Sequence, residues 1–175
     1  MSEKIEIDKG ARYPKIIGSF GEYLVCHWLS RSGFEVGIVD HTGMDVIAHH
    51  RPTKQRLGIT VKSRTRIRGT EGISTYIFRE AKQDREKLLE ACEAFGCDPW
   101  IAAYVECNEY ADLFLTSLEN YDDKYRSQGK TTIDAWKMTE KQKHQYAVDR
   151  DVRHIRFDFK AKNWWPVAVA VVDLT

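Results

Sequence analysis

The sequence predicts an α/β protein, a mixed central β-sheet flanked by helices. Three patterns predict it. An apolar repeat at helical spacing runs near the start, three short strand-like runs follow it, and a second helical repeat precedes another strand-like run. A meander followed by a helical crossover gives antiparallel pairs and then a parallel one, which is a mixed sheet.

The first helix is expected over residues 15–32. Ile16, Ile17, Phe20, Leu24 and Trp28 recur at helical spacing, and Gly33 is a suitable stop. Strands are expected over 34–39, 45–49 and 57–65, separated by a turn at His41, Thr42 and Gly43 and by a polar loop at 51–55. In the third strand Leu57, Ile59 and Val61 fall on one face and Thr60, Lys62 and Arg64 on the other. A short strand is expected over 74–78. The second helix is expected over 80–95, with Leu88, Leu89, Cys92 and Phe95 as its apolar stripe and Gly96 as its cap.

Further strands are expected over 100–106, 113–118, 152–159 and 167–172, with a polar excursion over 120–132. A helix over 139–149 opens with Thr139 and Gln142 at capping-box spacing. The 175 residues suit one domain over 1–175, with a core at about 15–107 and a C-terminal elaboration at about 108–175.

Composition narrows the function classes. With 42% hydrophobic and 30% charged residues the chain is of globular type. Its net charge of +1 leaves nucleic-acid binding to local clustering. The charged start carries no apolar signal segment, and the longest apolar run, 167–172, is far too short to span a membrane, so a cytoplasmic location is expected. Cys26, Cys92, Cys97 and Cys107 then read as reduced thiols. No CxxC pair supports a zinc site at the last three. No phosphate loop of the P-loop type and no GxSxG elbow is present.

One constellation carries chemistry. Asp45 opens a strand just after Gly43 and Met44, Lys62 lies on the next strand, and Glu22 lies on a helix able to pack beside them. Two carboxylates and a lysine suit phosphodiester hydrolysis. Carboxylate oxygens hold Mg²⁺, and a lysine positions water or stabilises developing charge.

The order Glu22, then Gly43-Met44-Asp45, then Ile59-Thr60-Val61-Lys62 resembles the PD-(D/E)XK nuclease superfamily, in its Holliday-junction-resolvase-like and restriction-endonuclease-like branches. Residues 88–105, with Phe95-Gly96, Pro99 and an apolar strand, look like the helix and strand that follow the lysine there. The resemblance covers about 15–105. It implies a restriction-endonuclease-like αβββαβ core with C-terminal additions. It also implies Asp45 as principal metal ligand, Lys62 as catalytic lysine, Glu22 as accessory ligand and the Val61 carbonyl as a further ligand, with Mg²⁺ or Mn²⁺ as cofactor. The superfamily carries Glu, Asp or sometimes Gln two residues before the lysine. Here that residue is Thr60, whose hydroxyl offers at most a water-mediated contact to a metal. Glu71 and Glu80 are the nearest downstream carboxylates for a migrated ligand.

No acidic residue occurs from 46 to 70, where Arg51, Lys54, Arg56, Lys62, Arg64, Arg66 and Arg68 fall. The last four alternate, so a regular strand projects them from one face, suited to sequence-indifferent contacts with phosphate. The bland reading is a solvated strand that resists edge aggregation. His49 shares the Asp45 face, and an ordinary loop histidine is the plainer account of it. Trp164 and Trp165 are candidates for base stacking, for the core or for a homodimer interface, since nucleases that cut two strands often act as dimers.

Three functional expectations follow. The first is a Mg²⁺-dependent endonuclease acting on the DNA backbone, in repair or defence. The second is a catalytically degenerate nuclease fold that binds nucleic acid or a protein partner, which Thr60 favours. The third is a plain α/β interaction module whose three residues fall in order by chance.

Overall fold

The computed structural model describes residues 10–65, 83–107, 109–126 and 136–160. The expected strands over 74–78 and 167–172 lie outside them, as do Arg66, Arg68, Glu71, Glu80, Trp164 and Trp165.

The chain begins with α1 (Tyr13–Arg31), then β1 (Phe34–Ile38), β2 (Val46–His50) and β3 (Gln55–Thr65). Next come α2 (Asp84–Phe95) and β4 (Asp98–Glu106). This is the αβββαβ order that the sequence implied. β5 (Tyr110–Ser117), α3 (Leu118–Lys124), α4 (Glu140–Val148) and β6 (Val152–Asp158) are the C-terminal additions. The six strands form one sheet in the order β1-β2-β3-β4-β5-β6. Among the described strands only β3 and β4 run parallel, and α2 lies in the connection between them. The other neighbours are antiparallel.

Alternation along the strands divides the core into two layers. Leu57, Ile59 and Val61 of β3 join Ala102 and Tyr104 of β4 beneath Val25, Cys26 and Leu29 of α1. On the other face Ile101, Ala103 and Val105 of β4 meet Leu88 and Cys92 of α2, with Tyr121, Trp136 and Tyr146 beyond. Gly58 lies on this second face because any larger residue would collide there. A Cβ on it would stand 2.6 Å from Cys92 Sγ and 2.8 Å from Met44 Sδ.

Local signals set the helix ends. Pro14 stands in the first turn of α1, where its missing N–H costs nothing. Gly33 and Gly96 take positive φ, 87° and 62°, as glycine stops do. Thr139 caps α4, its hydroxyl accepting from the Gln142 N–H.

Three expectations are corrected. In α1, Ile16 and Phe20 are exposed, at 63% and 48%, with Phe20 at the margin of the contact, its ring edge-on to Tyr104. The inner face runs through Ile17, Gly21, Leu24, Val25, Trp28 and Leu29 instead, because the helix rests on the sheet through a glycine that apolar counting overlooks. In α2 the buried stripe is Leu88, Ala91 and Cys92, and Leu89 and Phe95 are exposed. The expected polar excursion begins with α3, nucleated by Ser117, whose hydroxyl accepts from the Asn120 N–H. Among the described residues no helix is long and apolar enough to cross a membrane, and the four cysteines are free thiols.

Candidate active site

β3 is longer than β2, and the site lies where β3, still paired with β4, runs on past the end of β2. The pairing of β2 with β3 ends at Val46 opposite Ile59. Ile59 and Val61 are two apart, so their peptide groups point to the same side. The Ile59 carbonyl accepts from the Asp45 N–H at 2.9 Å, so the Val61 peptide points past the end of β2, where no strand lies among the described residues. Asp45 occupies this notch. Its Oδ2 accepts from the Val61 N–H at 2.6 Å and from the Thr60 hydroxyl at 3.1 Å.

The residues before Asp45 fix it. A Cβ on Gly43 would lie 2.0 Å from the Lys87 carbonyl oxygen of α2, so only glycine lets the turn approach that closely. The Gly43 N–H donates to His41 Nδ1, and Met44 is 1% exposed. Glycine, buried methionine and aspartate thus form an anchor that delivers one carboxylate to the edge of β3.

Glu22 lies on α1, beside the helix's close contact with β3. Its neighbour Gly21 rests against Ser63 and Tyr104, which brings this turn of the helix down onto the sheet. Burial raises the pKa of the Glu22 carboxyl. The charge of Asp45 raises it further, and the charge of Lys62 partly offsets both. Glu22, Asp45 and Lys62 therefore share one electrostatic neighbourhood. Thr60 is 5% exposed, and its hydroxyl is committed to Asp45.

Not every basic residue of the stripe is nearby. Lys54 sits in the β2–β3 turn at φ 62°. Arg56 pairs with His49 at the start of β3, six residues from Lys62 and about 20 Å along the strand. The structure thus places Lys54, Arg56 and His49 at the far end of β3 from the notch. Arg64 lies one pleat beyond Lys62 on the same face and donates to the Ser63 carbonyl. A cavity of about 650 Å³ lined by Val25, Trp28, Leu57, Trp100, Leu115 and Ile155 holds none of Glu22, Asp45, Thr60 and Lys62.

The donor set bears on a metal. Among the described residues no three His, Cys, Asp or Glu side chains gather as a closed cage would need. Two carboxylates beside one lysine leave an excess of negative charge, and Asp45 keeps an oxygen, Oδ1, with no hydrogen bond among the described residues. That suits Mg²⁺, which commonly takes one or two carboxylates and completes its shell with water and phosphate.

The sequence did not single out Gly21, the Val61 amide or a buried charge cluster on β5 and β6. Asp112 is fully buried and takes Arg156 in bidentate fashion at 2.8 and 2.9 Å, His154 at 2.8 Å and Lys143 at 3.2 Å. A lone aspartate inside the apolar run Ala111 to Leu115 was its one visible signal.

No protein-family model matches the chain, and no curated protein matches it. Among solved structures, it is similar to Hjc, a Holliday junction resolvase from the archaeal hyperthermophile Archaeoglobus fulgidus. The two are 17% identical, with a TM-score of 0.48 over 71% of this chain and 85% of that one. The similarity is one of fold.

Proposed function

We infer that this chain is a Mg²⁺-dependent endonuclease-like protein acting on the phosphodiester backbone of DNA, in repair or in defence against foreign DNA. What supports the reading is the seat of Asp45 on the Val61 amide together with the influence of the Asp45 and Lys62 charges on Glu22. Asp45 and Glu22 would hold the cation, with the Val61 carbonyl pointing to the same side as its N–H. A bound Mg²⁺ supplies positive charge that polarises a phosphate and makes water a better nucleophile. Lys62 places a cation beside the reacting phosphate and stabilises the charge that builds on it. Arg64, on the same face, binds a neighbouring phosphate and holds the backbone in register. Such contacts read backbone rather than base, so shape selects the substrate. A homodimer would offer two such notches to two strands.

A second reading has its own observation. Thr60 stands where the superfamily carries an acid, and its hydroxyl is spent on Asp45. On that reading the fold binds nucleic acid or a protein partner without cutting.

One experiment separates them. Branched, single-stranded and duplex DNA are incubated with the protein and Mg²⁺ or Mn²⁺, beside Lys62→Ala and Asp45→Ala. Cleavage lost in both variants is the expected result. Cleavage that persists in both sinks the assignment, and salt-sensitive binding by an uncutting wild type selects the second reading.

A further inference from the structure

Two donors converge on one oxygen of Asp45. The Val61 N–H and the Thr60 hydroxyl both donate to Oδ2, at 2.6 and 3.1 Å. A carboxylate offers about two lone-pair sites on each oxygen, so these two bonds saturate Oδ2. Among the described residues Oδ1 accepts none. Thr60 is buried, so its hydroxyl proton has no solvent alternative. It is also β-branched and held in a strand, which restricts its χ1 and hence the direction of the hydroxyl.

We propose that Thr60 is a positioning residue that, with the Val61 amide, clamps Oδ2 of Asp45 so that Oδ1 alone is presented to a cation. This rests on the reading of Asp45 as a metal-holding carboxylate. An acid at position 60 would set a second acceptor against Oδ2, and the two would repel. The threonine supplies a donor instead and turns the same position from ligand to brace. The site then asks for fewer protein oxygens and leaves more of the cation's shell to water and phosphate. Thr60 is a replacement with a task of its own rather than a lost ligand.

The clamp has a readout that needs neither metal nor substrate, namely hydrogen exchange at the Val61 amide. Thr60→Val keeps the shape and removes the donor, and Thr60→Ser keeps the donor. A hydrogen bond to a charged group corresponds to roughly a tenfold to hundredfold change in an equilibrium. In metal-free protein, Thr60→Val is expected to speed Val61 exchange by at least about tenfold and leave the Ala102 amide of β4 unchanged. Mn²⁺ affinity, followed by the loss of the free-ion EPR signal, is expected to fall by about tenfold. Thr60→Ser restores both. Exchange and affinity in Thr60→Val equal to wild type overturn the clamp, as does failure of Thr60→Ser to restore them. If Asp45→Ala binds Mn²⁺ as well as wild type, the metal reading of the site fails. Val61 exchange in Thr60→Val then decides the clamp by itself.

Discussion

Gly21 of α1 lies so close to Ser63 of β3 that a Cβ on the glycine would stand 2.1 Å from the serine Oγ. The serine hydroxyl is buried and has no hydrogen-bond partner among the described residues. The contact sits one residue from Glu22 on the helix and one from Lys62 on the strand, so it sets how the two approach. Gly21→Ala is expected to destabilise the fold by about 1–3 kcal/mol, as overpacking does. Ser63→Ala removes the obstruction and an unpartnered hydroxyl. In that background Gly21→Ala is expected to stabilise by up to about 1 kcal/mol through helix propensity. Urea unfolding of the four proteins checks the change of sign. Gly43→Ala meets a backbone oxygen at 2.0 Å, and trimming a side chain should not rescue it.

The Asp112 cluster makes the C-terminal strands sensitive to acid. Burial raises the pKa of this carboxyl, but hydrogen bonds from Arg156 and His154 and the charge of Lys143 outweigh it, so the net shift is downward. A carboxyl with a lowered folded pKa stabilises the fold above its unfolded value, near about 3.9, and loses that contribution as pH falls through the folded value. Asp112→Asn should therefore flatten the fall in stability below about pH 4. Asp112→Ala leaves Lys143, 3% exposed, with Glu140 as its remaining ion-pair partner, and is expected to cost about 3–5 kcal/mol. Thermal melts at pH 7 and across the acid range test both.

Sequence reached the order of elements because punctuation and periodicity are local. Gly33, Gly96 and the Thr139–Gln142 pair each act within a turn of where they stand. It also offered Glu22, Asp45 and Lys62 as one set, through their order along the helix and strands, and the charges of Asp45 and Lys62 act on Glu22. It found Ile17, Leu24 and Trp28 of the inner face of α1 but counted the exposed Ile16 and Phe20 with them and passed over Gly21, because a glycine has no hydropathy to count. It could not see the Val61 amide as a donor to Asp45, because a backbone group has no letter of its own. It read Thr60 as at most a water-mediated contact to a metal and gave no sign of its hydrogen bond to Asp45. The direction of a hydroxyl depends on a partner fifteen positions away, and only the folded chain supplies that.

Glu22 gives the opposite pH behaviour. Its pKa is raised by burial and then by Asp45, so ionising it weakens the fold. The penalty is absent below the ordinary glutamate value, near about 4.3, grows as pH rises toward the folded value and is complete above it. Glu22→Gln should melt higher than wild type at pH 7 and equal to it below about pH 4. Added Mg²⁺ should raise the melting temperature of wild type and do little for the variant. A variant less stable than wild type at pH 7 would count against crowded carboxylates in the notch.

Charge placement along β3 predicts how DNA binding responds to salt. Lys62 and Arg64 share one face beside the notch, and Arg56 lies about 20 Å away at the start of the strand. Each phosphate contact removed should flatten the log–log dependence of affinity on salt by roughly 0.7–0.9. Lys62→Ala and Arg64→Ala should each do so with any probe that fills the notch. Arg56→Ala should do so only with probes long enough to bridge the 20 Å, which at about 3.4 Å per nucleotide means roughly six or more. Fluorescence anisotropy with a series of oligonucleotides at several salt concentrations checks the pattern. An equal effect of Arg56→Ala on the shortest probe would move the binding track away from Lys62, and the proposed path of the backbone with it.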